Sequence, residues 1–200
     1  ERCFLMGHDS DAFNRWEAGQ QLAVKLVLRL IEDRRAGQPW RLDAGYSDAL
    51  RKTLRSEVLD AAMIAQVMQL PSESYVAEFM SPIDPQAIHE ALLFMRRSLA
   101  QVLRQELHHT YEANQDHGPY STDAGAIGRR SLKNVCLGYL MELPQQEIVQ
   151  LCVRQFRTAG NMTDRIAALH ALANNEGAEG AEALAAFYQE WRDDPLVMDK

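Results

Sequence analysis

Residues 84–114 read DPQAIHEALLFMRRSLAQVLRQELHHTYEAN, and this stretch decides the fold class. Asp84 offers a carboxylate that can cap a helix, and Pro85 fits the first helical position, where its missing N–H costs nothing. Apolar residues then follow on one helical stripe, at Ile88, Leu92, Met95, Leu99, Val102, Leu107 and Tyr111. The polar residues Arg96, Arg97, Arg104 and Gln105 fall toward solvent. The pattern predicts an amphipathic helix to about Asn114, roughly 45 Å long.

The chain before this helix carries further helix signals. A side chain that can accept a hydrogen bond commonly precedes a helix, and glycine or proline commonly follows its end. The expected helices run from Asp11 to about Arg35 before Gly37 and Pro39, from Ser47 to about Arg55, from Glu57 to Leu70, and briefly from Ser72 to before Ser81-Pro82. Residues 40–46 are expected to form a loop. In the first helix the apolar face comprises Phe13, Trp16, Ala23, Val24, Val27, Leu30 and Ile31.

The chain after residue 114 is also predicted to be helical, following a polar connection over 114–125. Asn161 and Asp164 resemble a capping box, in which the two residues satisfy each other's backbone donors. The expected helices pass through Leu132 and Tyr139 to Pro144, from Gln146 to Thr158, from Asn161 to Asn174-Asn175, and through Leu184, Phe187, Tyr188 and Trp191 to Asp194-Pro195.

These signals predict an all-α fold. No run of alternating β-branched residues suggests a strand, and 46% hydrophobic residues in a chain of 200 can form a sizeable core. Helices of this length joined by short loops favour antiparallel helix pairs stacked as an irregular HEAT/armadillo-like superhelix, an α-solenoid. Residues 1–200 are expected to form a single helical-repeat segment. The start, without methionine, and the abrupt end suggest a segment cut from a longer polypeptide.

Composition and charge argue against several classes of protein. The net charge of −7 argues against a nucleic-acid binder, which normally has a basic surface. No apolar run is long enough for a transmembrane helix. Cys3, Cys136 and Cys152 lack the spacing of a zinc knuckle or disulfide framework, which favours buried reduced thiols and a cytoplasmic location.

The histidines do not form a convincing metal site. His89-Glu90 resembles the start of a zinc-peptidase motif, but the fourth residue after His89 is Leu93 and not histidine. His108 and Glu112 share a helix face, with Glu106 and His109 nearby, and are interpreted as an exposed polar face. His170 is expected to be partly buried and hydrogen-bonded. We therefore predict no catalytic, cofactor-binding or metal-binding residue in this chain.

Two other groups of residues are interpreted as packing residues and not as binding or catalytic sites. The small residues Gly125-Ala126-Ile127-Gly128 lie inside a helical pattern, where close helix packing explains them better than phosphate binding. Arg15, beside Trp16, could bind a substrate carboxylate, but a link between neighbouring helices is favoured.

Three stretches resemble the bacterial aminopeptidase N (alanyl aminopeptidase) family. They are residues 8–18 (HDSDAFNRWEA), residues 130–136 (RSLKNVC), and residues 161–164 (NMTD) followed by 196–200 (LVMDK). Ile83-Asp84-Pro85, after Leu70-Pro71-Ser72, also fits. The stretches have the family's order and similar spacing across nearly the whole chain.

The resemblance implies the early part of the C-terminal helical domain of a zinc aminopeptidase. The zinc ligands and catalytic residues of such enzymes lie upstream, so none is assigned to a residue here. The expected partners are the catalytic domain of the same polypeptide and its peptide substrates. The expected role is to enclose the active-site chamber and control substrate access.

Two alternatives remain open at this stage. The chain could be a stand-alone helical-repeat module that binds peptides or proteins, or a metal enzyme that uses His108 and its neighbours. A segment cut from a superhelix should also expose an apolar face where neighbouring helices are missing. We therefore expect self-association.

Overall fold

The computed structural model describes residues 4–6, 9, 11–116 and 118–199, and within them every regular element is a helix. Eleven helices have defined bounds in this part of the chain: α1 Ala12–Arg35, α2 Ala44–Leu54, α3 Ala61–Met68, α4 Glu73–Ala77, α5 Pro85–Val102, α6 Arg104–Ala113, α7 Ala124–Leu140, α8 Gln146–Thr158, α9 Met162–Ala173, α10 Ala178–Trp191 and α11 Pro195–Met198. The all-α prediction is confirmed. None of the helices in the described ranges combines the length and apolar character that a bilayer span requires.

Side-chain caps explain where most helices begin. The Asp11 carboxylate accepts from the backbone N–H groups of Phe13 and Asn14, at 2.8 and 3.1 Å, so α1 starts as predicted. Asp84 accepts from the Ala87 N–H at 3.0 Å at the start of α5, again as predicted. Such caps satisfy N–H groups that have no partner inside the helix.

Two helix starts differ from the prediction. Helix α2 begins after Asp43, whose carboxylate accepts from the Tyr46 N–H at 3.0 Å. Ser47, the predicted cap, lies inside the helix, and its hydroxyl donates to the Ala44 carbonyl at 3.0 Å. Helix α3 begins after Asp60 and not near Glu57. In both cases an aspartate close to the predicted boundary is the cap. For α2, serine and aspartate are similar enough as caps that sequence alone does not choose between Ser47 and Asp43.

The predicted long helix from Asp84 to Asn114 is interrupted at Leu103. The backbone there has φ −106° and ψ 13°, which separates α5 from α6. The interruption buries Leu103 completely, whereas Val102, which was predicted to lie on the apolar stripe, is 47% exposed. The Val102 carbonyl accepts from Arg51 Nη2 at 3.2 Å. Burial of Leu103 in place of Val102 therefore accounts for the interruption.

The core is one cluster of buried residues, contributed by two groups of helices that meet at α7. On one side α7 packs on α3, which in turn packs on α1 and α2. On the other side α7 packs on α6 and α9, and α8, α9 and α10 stack on one another. The buried Tyr139 hydroxyl of α7 donates to the Met68 carbonyl of α3 at 2.7 Å. Helix α7 therefore joins the two halves.

The last helices expose apolar side chains. Leu184 and Tyr188 on α10 are 49% and 52% exposed, and Leu196 on α11 is 81% exposed. Of the four residues of the stripe predicted on α10, these two are exposed, whereas Phe187 and Trp191 are half-buried; Phe13 of α1 is exposed as well. An exposed apolar face of this kind favours association with another surface.

We expect the double substitution Leu184→Glu and Tyr188→Glu to reduce self-association of the 200-residue chain, because it places charge on the exposed face of α10. Sedimentation velocity over a concentration series measures the effect. Gln189→Glu, on an exposed position of the same helix, is the matched control and should change little. A wild-type chain that stays monomeric at its highest soluble concentration would contradict the prediction.

Candidate functional site

Two of the sequence stretches that carry the resemblance meet in a buried ion pair. Lys133 on α7 and Asp164 on α9 are each 4% exposed, and their Nζ and Oδ2 atoms lie 2.6 Å apart. Asn134 Nδ2 donates to Asp164 Oδ1 at 2.9 Å. Because a buried charge is stable only with a partner and hydrogen bonds, this contact fixes α9 against α7.

A hydrogen-bond network extends from this pair. Gln155 on α8 donates through Nε2 to Asn134 Oδ1 at 2.8 Å and to the Asp164 carbonyl at 3.0 Å. The Tyr111 hydroxyl on α6 donates to Gln155 Oε1 at 3.0 Å. Burial raises the pKa of the Tyr111 phenol, so the group stays a neutral donor. Side chains of α6, α7, α8 and α9 are thereby connected.

The predicted capping box at Asn161 is present with a changed partner. Asn161 Oδ1 accepts from the Asp164 N–H at 2.9 Å, as expected for the cap of α9. Asp164 Oδ2 reaches back to the Asn161 side-chain amide at 2.9 Å, and not to its backbone N–H. The same carboxylate also accepts from Lys133 Nζ, so one acidic side chain serves both the cap and the ion pair.

Arg130 holds the connection between α6 and α7. It is 3% exposed, and its guanidinium donates to Asp116 Oδ2 at 3.1 Å and to the Ser121 carbonyl at 2.8 Å. Its Cζ lies 5.0 Å from the centre of the Tyr120 ring, within the range of a cation–π contact. The described residues of this loop are therefore attached to α7.

The loop and the network together line an open polar cavity of about 400 Å³. Its lining includes Lys133, Asp164 and Gln155 from the network and Asp116 and Tyr120 from the loop. The volume lies within the ~300–1,000 Å³ range of small-molecule sites. We refer to it as the α7–α9 cavity.

The described histidines lie on exposed helix faces, and none of them lines this cavity. His89 Nδ1 lies 2.8 Å from Glu73 Oε1 on α4, and Glu90 pairs with Arg34. His108 and His109 are exposed beside a groove between α6 and α8. No group of three metal-ligating side chains comes together among the residues whose positions are described. His8 and His117 lie outside the described residues.

Glu106, which was weighed with His108, is engaged elsewhere. Its Oε1 accepts from Arg51 Nε at 3.0 Å and from Arg55 Nη2 at 2.7 Å. Partial burial acts to raise the pKa of Glu106, but its backbone hydrogen bond and the two arginines outweigh burial and leave the pKa below its ordinary value. This carboxylate connects α6 to α2 and is not free to bind a metal with His108.

The expectation for His170 is wrong. His170 is exposed, and it is its backbone carbonyl that accepts a hydrogen bond, from Asn174 Nδ2 at 2.8 Å. The neighbours Ala168 and Leu172 face the core in its place. A leucine- and alanine-rich helix can have one polar face, and His170 lies on that face.

Arg15 and Gly128 have the structural roles that the sequence favoured. Arg15 is 7% exposed, and its Nε donates to the Met6 carbonyl at 3.1 Å. A methyl group added at Gly128 would lie 2.9 Å from the Ala62 backbone nitrogen of α3. The small residue therefore permits close approach of two helices.

Cys136 and Cys152 are buried free thiols, and burial raises the pKa of each to about 12. In a Cys3→Ser background, because Cys3 lies outside the described residues, we expect these thiols to react with a disulfide reagent at pH 8 at least ~100-fold more slowly in the folded than in the unfolded chain. Absorbance of the released thiol measures the rates. Equal rates in folded and urea-unfolded protein would show that the thiols are accessible.

Comparison with known proteins places this architecture in a family. A domain family described as "Domain of unknown function (DUF3458_C) ARM repeats" matches residues 1–200. The chain belongs to this family. ARM repeats are stacked helices, so the match agrees with the fold described above and confirms the predicted helical solenoid.

Curated relatives of this ARM-repeat domain are aminopeptidases. The chain is 38% identical to aminopeptidase N of Caulobacter vibrioides, over 100% of the chain and 23% of that protein. It is 34% identical to aminopeptidase N of Escherichia coli, over 98% of the chain and 22% of that protein. The chain therefore spans less than a quarter of the length of the curated relatives it matches.

A solved structure agrees in fold. Legionella pneumophila aminopeptidase A, crystallised in complex with aspartic acid, superposes with a TM-score of 0.83 at 26% identity. The similarity covers 98% of the ARM-repeat chain and 24% of that protein. The resemblance to aminopeptidases recognised in the sequence is confirmed by these matches.

The buried network was only partly accessible to sequence reasoning. Lys133, Asn134 and Asp164 lie in the stretches that carry the resemblance, but nothing in their spacing shows that they touch. Gln155 and Tyr111 lie inside apolar helical patterns, where a polar side chain at a buried position was the one available signal. Contacts between residues far apart in sequence depend on how helices stack, which periodicity does not determine.

Proposed function

We propose that this ARM-repeat domain is the non-catalytic helical part of a zinc-dependent aminopeptidase that removes N-terminal residues from peptides. The observation that carries the proposal is coverage: 98–100% of the chain aligns with only 22–23% of each of two aminopeptidases N. A segment that forms a small contiguous part of an enzyme and has its own hydrophobic core is typical of a domain that accompanies a catalytic domain.

The proposed role is to enclose the active-site chamber and to control which substrates enter. Stacked helices form an extended wall, and the buried links around α7 give that wall a fixed shape. The catalytic domain would lie upstream in the same polypeptide, in the cytoplasm, with peptides as substrates. Exposed apolar residues at α10 and α11 offer a surface for further parts of that polypeptide.

Zinc, which polarises the scissile carbonyl and activates water in such enzymes, does not fit the side chains described here. The donor groups that come closest to a set, His108 and Glu112, lack a third ligand in the described chain, and Glu106 is held by two arginines. The zinc ligands would therefore belong to the upstream domain.

Hydrolysis of an alanine-linked chromogenic amide tests the proposal. We expect activity from the whole polypeptide that carries this domain and none from the 200-residue chain, with or without added zinc. Activity in the 200-residue chain would overturn the non-catalytic assignment. An inactive whole polypeptide that still binds peptides would favour the alternative, a helical-repeat binding module.

Entry control has a separate test in the active polypeptide. The wild-type enzyme should cleave short alanine peptides and leave the N-terminal alanine of a small folded protein intact, with both reactions followed by mass spectrometry. Equal cleavage of the folded protein and of the same protein after unfolding would argue against a wall that restricts access.

A further inference from the structure

The α7–α9 cavity is lined by the buried ammonium group of Lys133. Lys133 lines the cavity, its side chain is 4% exposed, and an ammonium has three N–H donors. Among the described residues, the Lys133 ammonium donates to Asp164 Oδ2. Because the cavity is open, acceptor atoms of water or of a ligand can pair with the remaining N–H donors of Lys133.

The rim of the cavity adds one free charge of each sign. Asp116 is matched by Arg129 and Arg130, at 3.4 and 3.1 Å, and Asp164 is matched by Lys133. The two remaining charged lining residues are Arg154 on α8 and Glu112 on α6, and neither forms an ion pair within the described chain. Both side chains are exposed, so they are accessible to a ligand.

These charges define the chemistry of a complementary ligand. A carboxylate would supply acceptors to Lys133 and Arg154, because charge-assisted hydrogen bonds to carboxylates are the strong ones. An ammonium on the same ligand would neutralise Glu112. A neutral molecule would leave Arg154 and Glu112 unmatched, and a simple anion would leave Glu112 unmatched.

We propose that the α7–α9 cavity binds an amino-acid zwitterion, as a free amino acid or a short peptide, with its carboxylate toward Lys133 and Arg154 and its ammonium toward Glu112. The volume of about 400 Å³ accommodates a ligand of this size. The site goes beyond the proposed function, because binding is expected of this chain whether or not the whole polypeptide hydrolyses peptides.

The test is a titration of the 200-residue chain with L-alanyl-L-alanine and, in parallel, with L-alanine, followed by two-dimensional NMR. We expect saturable shifts at the backbone amides of Gly118, Gly160 and Asn161, which line the cavity. Tighter binding of the dipeptide would identify a short peptide as the ligand, and tighter binding of L-alanine would identify a free amino acid. Alaninamide, which lacks the carboxylate, and acetate, which lacks the ammonium, should each bind at least about tenfold more weakly.

Variants connect the shifts to the two rim charges. Arg154→Gln and Glu112→Gln should each raise the dissociation constant by about tenfold, with circular dichroism unchanged because both positions are exposed. Arg157→Gln, an exposed arginine on the same helix that does not line the cavity, is the matched control. The absence of saturable shifts at the cavity amides, equal binding of alaninamide, or equal loss with Arg157→Gln would overturn the proposal.

Discussion

Replacing Lys133 with methionine should lower the free energy of unfolding by about 3–5 kcal/mol, the cost of breaking a buried ion pair from one side. Asp164 is 4% exposed, so without Lys133 its carboxylate would be a buried charge with only amide and backbone donors around it. Methionine has a similar length, and the loss therefore reflects the missing charge more than a cavity. Urea denaturation measured by circular dichroism gives the difference in stability.

A surface lysine and a double-mutant cycle separate the ion pair from general effects. Lys25→Met, at an exposed position of α1, should change stability by less than about 0.5 kcal/mol. The double variant Lys133→Met with Asp164→Leu should be less destabilised than the sum of the two single variants, by roughly 0.5–3 kcal/mol, because the residues are in contact. Additive losses would contradict a direct interaction.

Gly128→Ala should destabilise the chain by about 1–3 kcal/mol, as added volume does in a packed core. The new Cβ would lie 2.9 Å from the Ala62 nitrogen and 3.3 Å from the Ala62 Cβ, so the backbones of α3 and α7 must move apart. Thermal and urea unfolding both report the loss.

Gly138 provides a matched control on the same helix. A Cβ at Gly138 has no atom within 4 Å, so Gly138→Ala meets open space. Alanine restricts the unfolded chain and favours helix, and this variant should gain about 0.4–1 kcal/mol. Opposite signs for the two substitutions are the expected result, whereas a gain at both positions would show that α3 and α7 do not approach closely at Gly128.

The sequence predicted best those features that depend on neighbours along the chain. Helix α8 has the predicted bounds, Gln146 to Thr158, because a proline precedes it and Gly160 follows it. The caps at Asp11, Asp84 and Asn161 are confirmed, since a cap acts within one turn.

Features that depend on tertiary packing were beyond the sequence. The apolar periodicity is compatible both with a continuous helix through Leu103 and with the observed break there. The burial of Leu103 in the folded chain decides in favour of the break. The α10 stripe was correctly recognised as apolar, but periodicity does not show whether a neighbouring helix covers it. The candidate site was missed for the same reason, because the α7–α9 cavity combines side chains from four helices and a loop.

The position of α7 has a mechanical consequence. Helix α7 contacts α3 at Gly128 and Tyr139, and it is linked to α9 through Lys133. The curvature of a solenoid follows from a small rotation between successive repeats, and a change of that rotation at α7 would have to stretch an ion pair or compress two backbones. We expect α7 and the helices it contacts to move as one rigid unit, so that bending of the domain is confined to the repeats on either side of it.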